Sequence, residues 1–342
     1  MDKSVYITDL KDGQSFEESF VLVQARQASS RNGPFWDLRL QDRTGQIEGK
    51  IWYPQSMEYQ DLLPESMVRV QAQVKTFREQ LQLIIHRLRV LEGEEIDWSE
   101  FVPSSARPPE ELLEELERLC RSELSYPPWR KLCSKVLRDG EIRERLLAAP
   151  AAKSIHHAYR GGLLEHTLSV ARSCLALCAI YPELDREILL VAAVLHDLGK
   201  AWELEGALLP DYSDEGGLIG HITLGLQMLE PFLQKAKDLE AGLALHLRHL
   251  ILSHHGEHEF GSPKRPKTRE AFVLHFADNL DAKVNTVGKL LQAMDGEGSR
   301  WSGYQYSLQR KVFQAQATPE AKKDREDSKK DRSKQCLLPL KE

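Results

Sequence analysis

The chain has 342 residues, 41% of them apolar and 29% charged, with a formal net charge of −6. That length asks for two domains, and the composition supports folded cores while excluding a collagenous, fibrous or wholly disordered chain. The acidic balance argues against coating nucleic acid by bulk electrostatics, so contact with a polyanion needs a local arrangement of cations. The opening MDKSVYITDLKDG lacks both a basic and an apolar leader segment, and no run approaches the roughly 18 apolar residues of a spanning helix, so a cytoplasmic protein with no membrane partner is expected. Cys120, Cys133, Cys174, Cys178 and Cys336 form no CxxC pair, which argues against a disulfide framework or a thiolate zinc site. Cys174 and Cys178, one helical turn apart in an apolar stretch, read as small core residues. Of twelve histidines, eleven fall between His156 and His275, and only His86 lies outside.

Residues 1 to about 95 alternate apolar and polar side chains in five runs separated by turn residues. The pattern predicts strands near residues 17–28, 35–41, 46–53, 67–78 and 81–91, with the helix-compatible PQSMEYQDLLP between the third and fourth. This rhythm resembles a small Greek-key barrel of the OB-fold type, whose second and third strands form the binding face. Phe35, Trp36, Arg39, Lys50 and Trp52 lie on those strands and offer flat rings for bases and cations for phosphates. Strict alternation puts Phe35 and Trp36 on opposite sides, so at most one of the two can be exposed. Twelve Lys and Arg against fifteen Asp and Glu in residues 1–95 leave little general attraction for a polyanion.

PSSARPP at residues 103–109 reads as the end of a linker spanning residues 96–109. Beyond it the period becomes helical. EELLEELERLCRSEL is followed by PPWRKLCSKVLRDG, with Pro at a start and Gly at a stop, and helical patterns continue through residues 163–181, 185–198, 218–236, 239–255 and 268–294. An all-α domain over residues 110–315 is expected. Residues 316–342 are expected to form a disordered tail, because PEAKKDREDSKKDRSKQ cannot bury a core.

ILLVAAVLHDLGK at residues 188–200 predicts a helix buried all round that ends in His196 and Asp197, with Gly199 as its C-cap. An imidazole and a carboxylate at the end of such a helix are costly without partners, and a metal ion is one such partner. Helical phase turns His254 inward with Leu243, Leu247 and Leu250, and His255 farther round. Asp278 lies within about 40° of Leu274, and Asp281 is near the same face, so either could reach a buried ion. His166 borders a broad apolar arc, and His221 opens the helix GHITLGLQML.

GGLLEHTLSV, HDLGK thirty residues on, GHI, SHHG and FADNLDAK resemble the ordered motifs of HD-domain metal-dependent phosphohydrolases. The resemblance implies that His166, His196, Asp197 and Asp278 hold one metal and that Asp197 bridges to a second held by His221 and His254. His255 and Asp281 are then outer partners or alternative ligands. The barrel, the proline linker and HHAYRGGLLEHT, SHHGE and FADNLDAKV together are similar to the YhaM-type 3′-to-5′ exoribonuclease family over about residues 1–295. That likeness implies a multidomain α+β protein, two divalent metals with Mn2+ favoured, a homo-oligomer, and 3′-to-5′ removal of nucleoside 5′-monophosphates from single-stranded RNA or DNA.

The implied chemistry is attack by a hydroxide generated at a metal pair on the terminal phosphodiester. Mixed His and Asp ligation suits Mn2+, Fe2+, Co2+ or Zn2+ better than Mg2+. Lys200 reads either as a grip on a phosphate oxygen or as a solvated helix end. His157 and Arg160 are candidates for contacting the scissile phosphate or its neighbour, with Gly161 and Gly162 allowing close backbone approach. Lys264, Arg265, Lys267 and Arg269 form a basic loop that either guides a strand or is merely solvated. Two other functions remain open at this stage. One is a phosphohydrolase acting on free or cyclic nucleotides, and the other is a non-catalytic nucleic-acid-binding adaptor.

Overall fold

The computed structural model describes residues 3–77, 80–91, 100–101, 105, 107–152, 159–205, 211–294 and 300–316. His157 and residues 317–342, all but the first residue of the expected tail, lie outside the described residues, as does most of the expected linker. The chain divides into two compact units, residues 1–282 and residues 283–342.

Five strands close into a barrel: β1 (Ser15–Ser30), β2 (Gly33–Asp42), β3 (Gly45–Ile51), β4 (Met67–Phe77) and β5 (Gln80–Val90), in the spatial order β1-β2-β3-β5-β4. β1 also pairs with β4, so no long edge is left open. All pairings are antiparallel except β3 with β5. Alternation decides what goes inside: Trp36, Leu38 and Leu40 on β2 and Ile47 and Ile51 on β3 join Phe20, Val70, Leu83 and Ile85 in one core. Gly49 has no side chain on that inward row because the Ile85 methyl lies 2.7 Å from where a Cβ would stand. The observed strands match the expected ones to within a few residues.

The helices begin with α1 (Pro109–Glu123), α2 (Pro127–Leu137) and α3 (Gly140–Ala148). Prolines open the first two, where a missing N–H costs nothing. Gly140 is not the stop expected of it: α2 ends before it, and Asp139 caps α3 by accepting from the Ile142 N–H. Then come α4 (Gly162–Ile180), α5 (Arg186–Leu195), the short α6 (Lys200–Glu203), a two-strand ribbon β6 (Leu204–Glu205) and β7 (Asp211–Tyr212), α7 (Asp214–Ile219), α8 (His221–Lys235), α9 (Ala241–Ser253) and α10 (Arg269–Ala293). α5 is the axis of this bundle, buried from Ile188 to Leu195, with α1, α2, α4 and α9 packed on it. Among the described helices, α4 is long and apolar enough to cross a membrane, but half of it is buried within the bundle. Cys174 is fully buried and Cys178 partly so, as small core residues should be.

Candidate metal centre

Because α5 is surrounded by apolar side chains, the residues leaving its C-terminus stay interior. His196 and Asp197 are at most 1% exposed. Four other helix segments converge on them: the first turns of α4 with His166, the first residue of α8 with His221, the end of α9 with His254, and the third turn of α10 with Asp278. Asp197 divides its two oxygens between two groups. Its Oδ2 lies 3.4 Å from His166 Nε2 and 3.3 Å from His196 Nε2, and Asp278 Oδ1 lies 3.2 Å from His166 Nε2. Its Oδ1 lies 3.5 Å from His221 Nε2 and 3.4 Å from His254 Nε2.

Each imidazole is turned by its other nitrogen. The Nδ1–H of His196 donates to the Ala193 carbonyl and that of His254 to the Ile251 carbonyl, at 2.8 and 2.7 Å. His166 Nδ1–H donates to Asp281 Oδ2 at 2.7 Å, and Ser169 Oγ holds the other oxygen of that carboxylate. His221 Nδ1–H donates to Glu203 Oε1 at 3.0 Å, and the same oxygen accepts the His221 backbone N–H. His255 Nδ1–H donates to the Phe260 carbonyl. Every Nε2 lone pair of the inner four is thereby aimed at Asp197.

Four of those inner atoms have no hydrogen-bond partner among the described residues: His196 Nε2, His221 Nε2, His254 Nε2 and Asp197 Oδ1. Leaving four buried polar atoms unmet is expensive, roughly 1–3 kcal/mol each, unless a ligand takes them. Two sets of donors lie close enough to share an ion: His166, His196, Asp197 and Asp278, and Asp197, His221, His254 and His255. Donor separations of 3.2–3.5 Å match the edges of a coordination shell built on metal–ligand bonds of roughly 2.1 Å. The donor set therefore fits two divalent cations sharing Asp197.

The field agrees. Burial opposes charge on His166, yet the carboxylates of Asp197, Asp278 and Asp281 outweigh it and raise its pKa well above the ordinary value. The same carboxylates favour positive charge carried by a metal. Burial would likewise raise the Asp197 carboxyl, but Lys200 and the neighbouring imidazoles hold it well below the carboxylate range. Burial, followed by the proximity of His254, pushes His255 down to about 4, which leaves a neutral imidazole with a lone pair to give. The C-termini of α5 and α9 both end here, adding the negative ends of two helix dipoles.

Several expectations change. Lys200 is neither open to a phosphate nor solvated: it is 9% exposed, and its Nζ donates to Asp197 Oδ2 at 2.6 Å. The reason is the tight turn after α5, which folds α6 back onto the carboxylate. Gly199 is not the C-cap of α5, which ends at Leu195 with His196 in that position; it precedes α6 with φ −66°. A Cβ there would stand 1.9 Å from the His221 carbonyl oxygen, so glycine is needed for the first turn of α8 to approach Asp197. Gly161 does have φ +75°, but the atoms closing on it belong to Pro109 and Ser105. Arg160 is exposed just before α4, and its carbonyl accepts from the Ser105 N–H. Asp281 acts on His166 rather than at an ion. In the basic loop, Arg265 pairs with Glu257 at 2.8 Å.

Glu203 and His275 escaped the sequence reading. Glu203 is held below the ordinary carboxyl value by His221 against the opposing effect of burial. His275 Nδ1–H donates to the His254 carbonyl at 2.8 Å, and its ring fills the space over Gly256. A glutamate at the end of a four-residue helix carries no periodic signal. Only the odd grouping of acids in AWELEG hinted at it.

On the barrel, Phe35, Arg39, Lys50 and Trp52 share the outer face of β2 and β3, and the Phe35 and Trp52 rings meet at 4.7 Å. Trp36 does not belong there. It is 6% exposed and donates its indole N–H to the Tyr59 carbonyl, because the inward row of β2 begins with it. Both cations are paired: Lys50 with Asp37 and Glu48, and Arg39 with Glu48 at 3.9 Å.

Residues 163–283 match the model of the HD domain family, and residues 21–91 match that of an OB-fold nucleic acid binding domain. The 3′-5′ exoribonuclease YhaM of Shouchella clausii strain KSM-K16 is 36% identical over 282 residues, covering 80% of this chain and 86% of that protein. The protein of that name from Bacillus subtilis strain 168 is 33% identical over 282 residues, covering 82% and 88%. Its counterpart in Oceanobacillus iheyensis is 34% identical over 284 residues, with the same coverage.

Proposed function

This chain belongs to the YhaM family of 3′-to-5′ exoribonucleases, and from that premise we propose how its own residues divide the work. It is a metal-dependent 3′-to-5′ exoribonuclease with a nucleic-acid-binding OB-fold barrel and an HD domain. The observation that carries the assignment of the centre is the convergence of four partnerless buried atoms, Asp197 Oδ1 and the Nε2 of His196, His221 and His254.

His166, His196, Asp197 and Asp278 would hold one ion, and Asp197, His221 and His254 the other, with His255 in the same donor group. Mn2+ suits this mixture of imidazole and carboxylate. A pair of such ions supplies an activated water and neutralises charge on the phosphoryl group and the leaving oxygen. The chain's residues do the rest. Asp197 fixes the spacing of the two positions, and Lys200 offsets its negative charge and locks its rotamer. Asp281 and Glu203 orient His166 and His221 by accepting from their Nδ1–H groups. Arg160, just before α4, contacts the scissile phosphate or its neighbour, a role that the sequence also suggests for His157.

The barrel, residues 1–95, grips the strand upstream of the helical catalytic domain at residues 110–315. Phe35 and Trp52 stack bases, and Arg39 and Lys50 meet phosphates by exchanging Asp37 and Glu48 for them. The substrate is single-stranded RNA, with single-stranded DNA as a further one, and the enzyme works as a homo-oligomer in the cytoplasm. Incubating the protein with Mn2+ and a 5′-labelled RNA oligonucleotide tests this reading. A ladder shortening from the 3′ end, with nucleoside 5′-monophosphates released, is expected. An intact strand beside hydrolysed mononucleotides or cyclic nucleotides would overturn it.

A further inference from the structure

In the second unit, residues 300–316 fold into a small antiparallel hairpin. Ser302 N–H donates to the Val312 carbonyl at 2.8 Å, Gln305 N–H to the Arg310 carbonyl at 2.9 Å, and Gln314 N–H to the Arg300 carbonyl at 2.8 Å. Trp301 and Phe313 face each other across it as a bridged pair. Their rings lie 4.8 Å apart, and the Arg300 guanidinium covers the Phe313 ring at 4.8 Å. Residue alternation puts Ser302 and Val312 inward and this pair outward.

Cross-strand aromatic pairs often serve only to hold a hairpin together. Here the rings remain 58% and 41% exposed, and Tyr304 and Tyr306 add 52% and 87% exposed rings on the same short segment. Four exposed aromatic side chains in seventeen residues are more than a hairpin needs. The charge is one-sided. Residues 300–316 contain Arg300, Arg310 and Lys311 and no Asp or Glu. Leu308 and Val312, the aliphatic side chains larger than alanine, are half-buried, so the outward surface lacks the aliphatic content of a protein interface core. Flat rings, a guanidinium plane and uncontested positive charge are the recognition chemistry of a single-stranded nucleic acid.

We infer that this hairpin is a second contact for single-stranded RNA, distinct from the barrel face, with Trp301 and Phe313 stacking a base and Arg300 and Lys311 meeting its phosphates. The identity of the strand rests on the exoribonuclease reading. Unlike the barrel cations, these are not matched by carboxylates in their own segment, so the hairpin contributes the larger salt-dependent share of binding.

The test uses the full-length enzyme with Mn2+ and a fluorescein-labelled RNA of about 20 nucleotides, long enough to reach more than one patch, its 3′-terminal linkages made phosphorothioate to slow hydrolysis. The Trp301→Ala/Phe313→Ala variant should bind about tenfold or more weakly, the effect of losing a stacked base. The double variant should melt like the wild type. Trp301→Phe should restore most of the affinity, and Arg300→Gln should flatten the dependence of affinity on salt. Because Arg300→Gln leaves both rings in place, it keeps the inference testable if the double variant does not melt like the wild type. Affinity within twofold of wild type in both variants would overturn the inference. So would unchanged RNA affinity with a changed molecular mass by light scattering, which would make the hairpin a contact between copies of the chain. A wild-type protein that neither binds nor shortens RNA would instead bring down the exoribonuclease reading together with this one.

Discussion

The centre around Asp197 and the outer face of the barrel solve opposite problems. At the centre, polar atoms are buried, aimed inward and left without partners, so the fold is complete only when cations fill it. On the barrel face, charges are exposed and already paired with one another, so the fold is complete without a ligand. A ligand at the first place gains the full interaction energy, whereas at the second it must displace Asp37 and Glu48. The comparison teaches that charge should dominate at the metal centre and ring stacking on the barrel.

The largest effect expected is that of Asp197→Ala, which removes the atom pair common to both ion positions. Hydrolysis of RNA should fall by at least about a thousandfold, the scale of losing metal chemistry, and bound Mn2+ measured by mass spectrometry should drop at both positions. Activity within tenfold of wild type would break the contrast at its stronger end.

Gly199→Ala acts on the same centre through the backbone. Its methyl group cannot share space with the His221 carbonyl, so α8 must shift, costing about 1–3 kcal/mol in stability and carrying His221 away from Asp197. A lowered melting temperature with weakened uptake of the second Mn2+ equivalent is expected. An unchanged melt would show that α8 does not depend on this close approach.

Glu203→Gln and Asp281→Asn sharpen the picture by separating the two ions. Each should weaken Mn2+ binding about 10- to 100-fold, Glu203→Gln at the His221 position and Asp281→Asn at the His166 position. Calorimetric titration with Mn2+ should resolve one weakened and one preserved site in each variant. Equal loss at both sites would argue for collapse of the centre as a unit.

On the barrel the effects should be smaller and ordered by ring before charge. Trp52→Ala removes the exposed partner of Phe35 and should weaken RNA binding about tenfold, as loss of one stacked base does. Lys50→Gln should change it less, by under about fivefold, because the partly exposed ion pair it makes with Asp37 already offsets its charge and Asp37 is freed at the same time. Anisotropy measurements on both variants check the order, and a larger effect for Lys50 would reverse the contrast.

The same difference explains what could be read from the sequence. His166, His196, Asp197, His221, His254 and Asp278 were legible because each stands at a helix terminus or on an apolar face that helical periodicity reveals. Their order along the chain added the rest. Glu203 was not legible, since its role depends on α6 folding back against α8, a tertiary event with no local pattern. Lys200 was misread for the same reason: the turn at Gly199 decides whether the ammonium faces solvent or Asp197. On the barrel, five strands followed from alternation, which also separated Phe35 from Trp36. Which of the two pointed inward depended on closure of the sheet, and the bulge after Leu22 in β1 shows how locally that register can change.

The central claim, that one aspartate joins two ion positions, is tested most directly by a crystal structure of the Mn2+-loaded protein with anomalous scattering at the manganese edge. Two peaks are expected, about 3.5–4 Å apart, one contacted by Asp197 Oδ2 with His166, His196 and Asp278, the other by Asp197 Oδ1 with His221 and His254. A single peak, or peaks that Asp197 does not touch, would contradict the account.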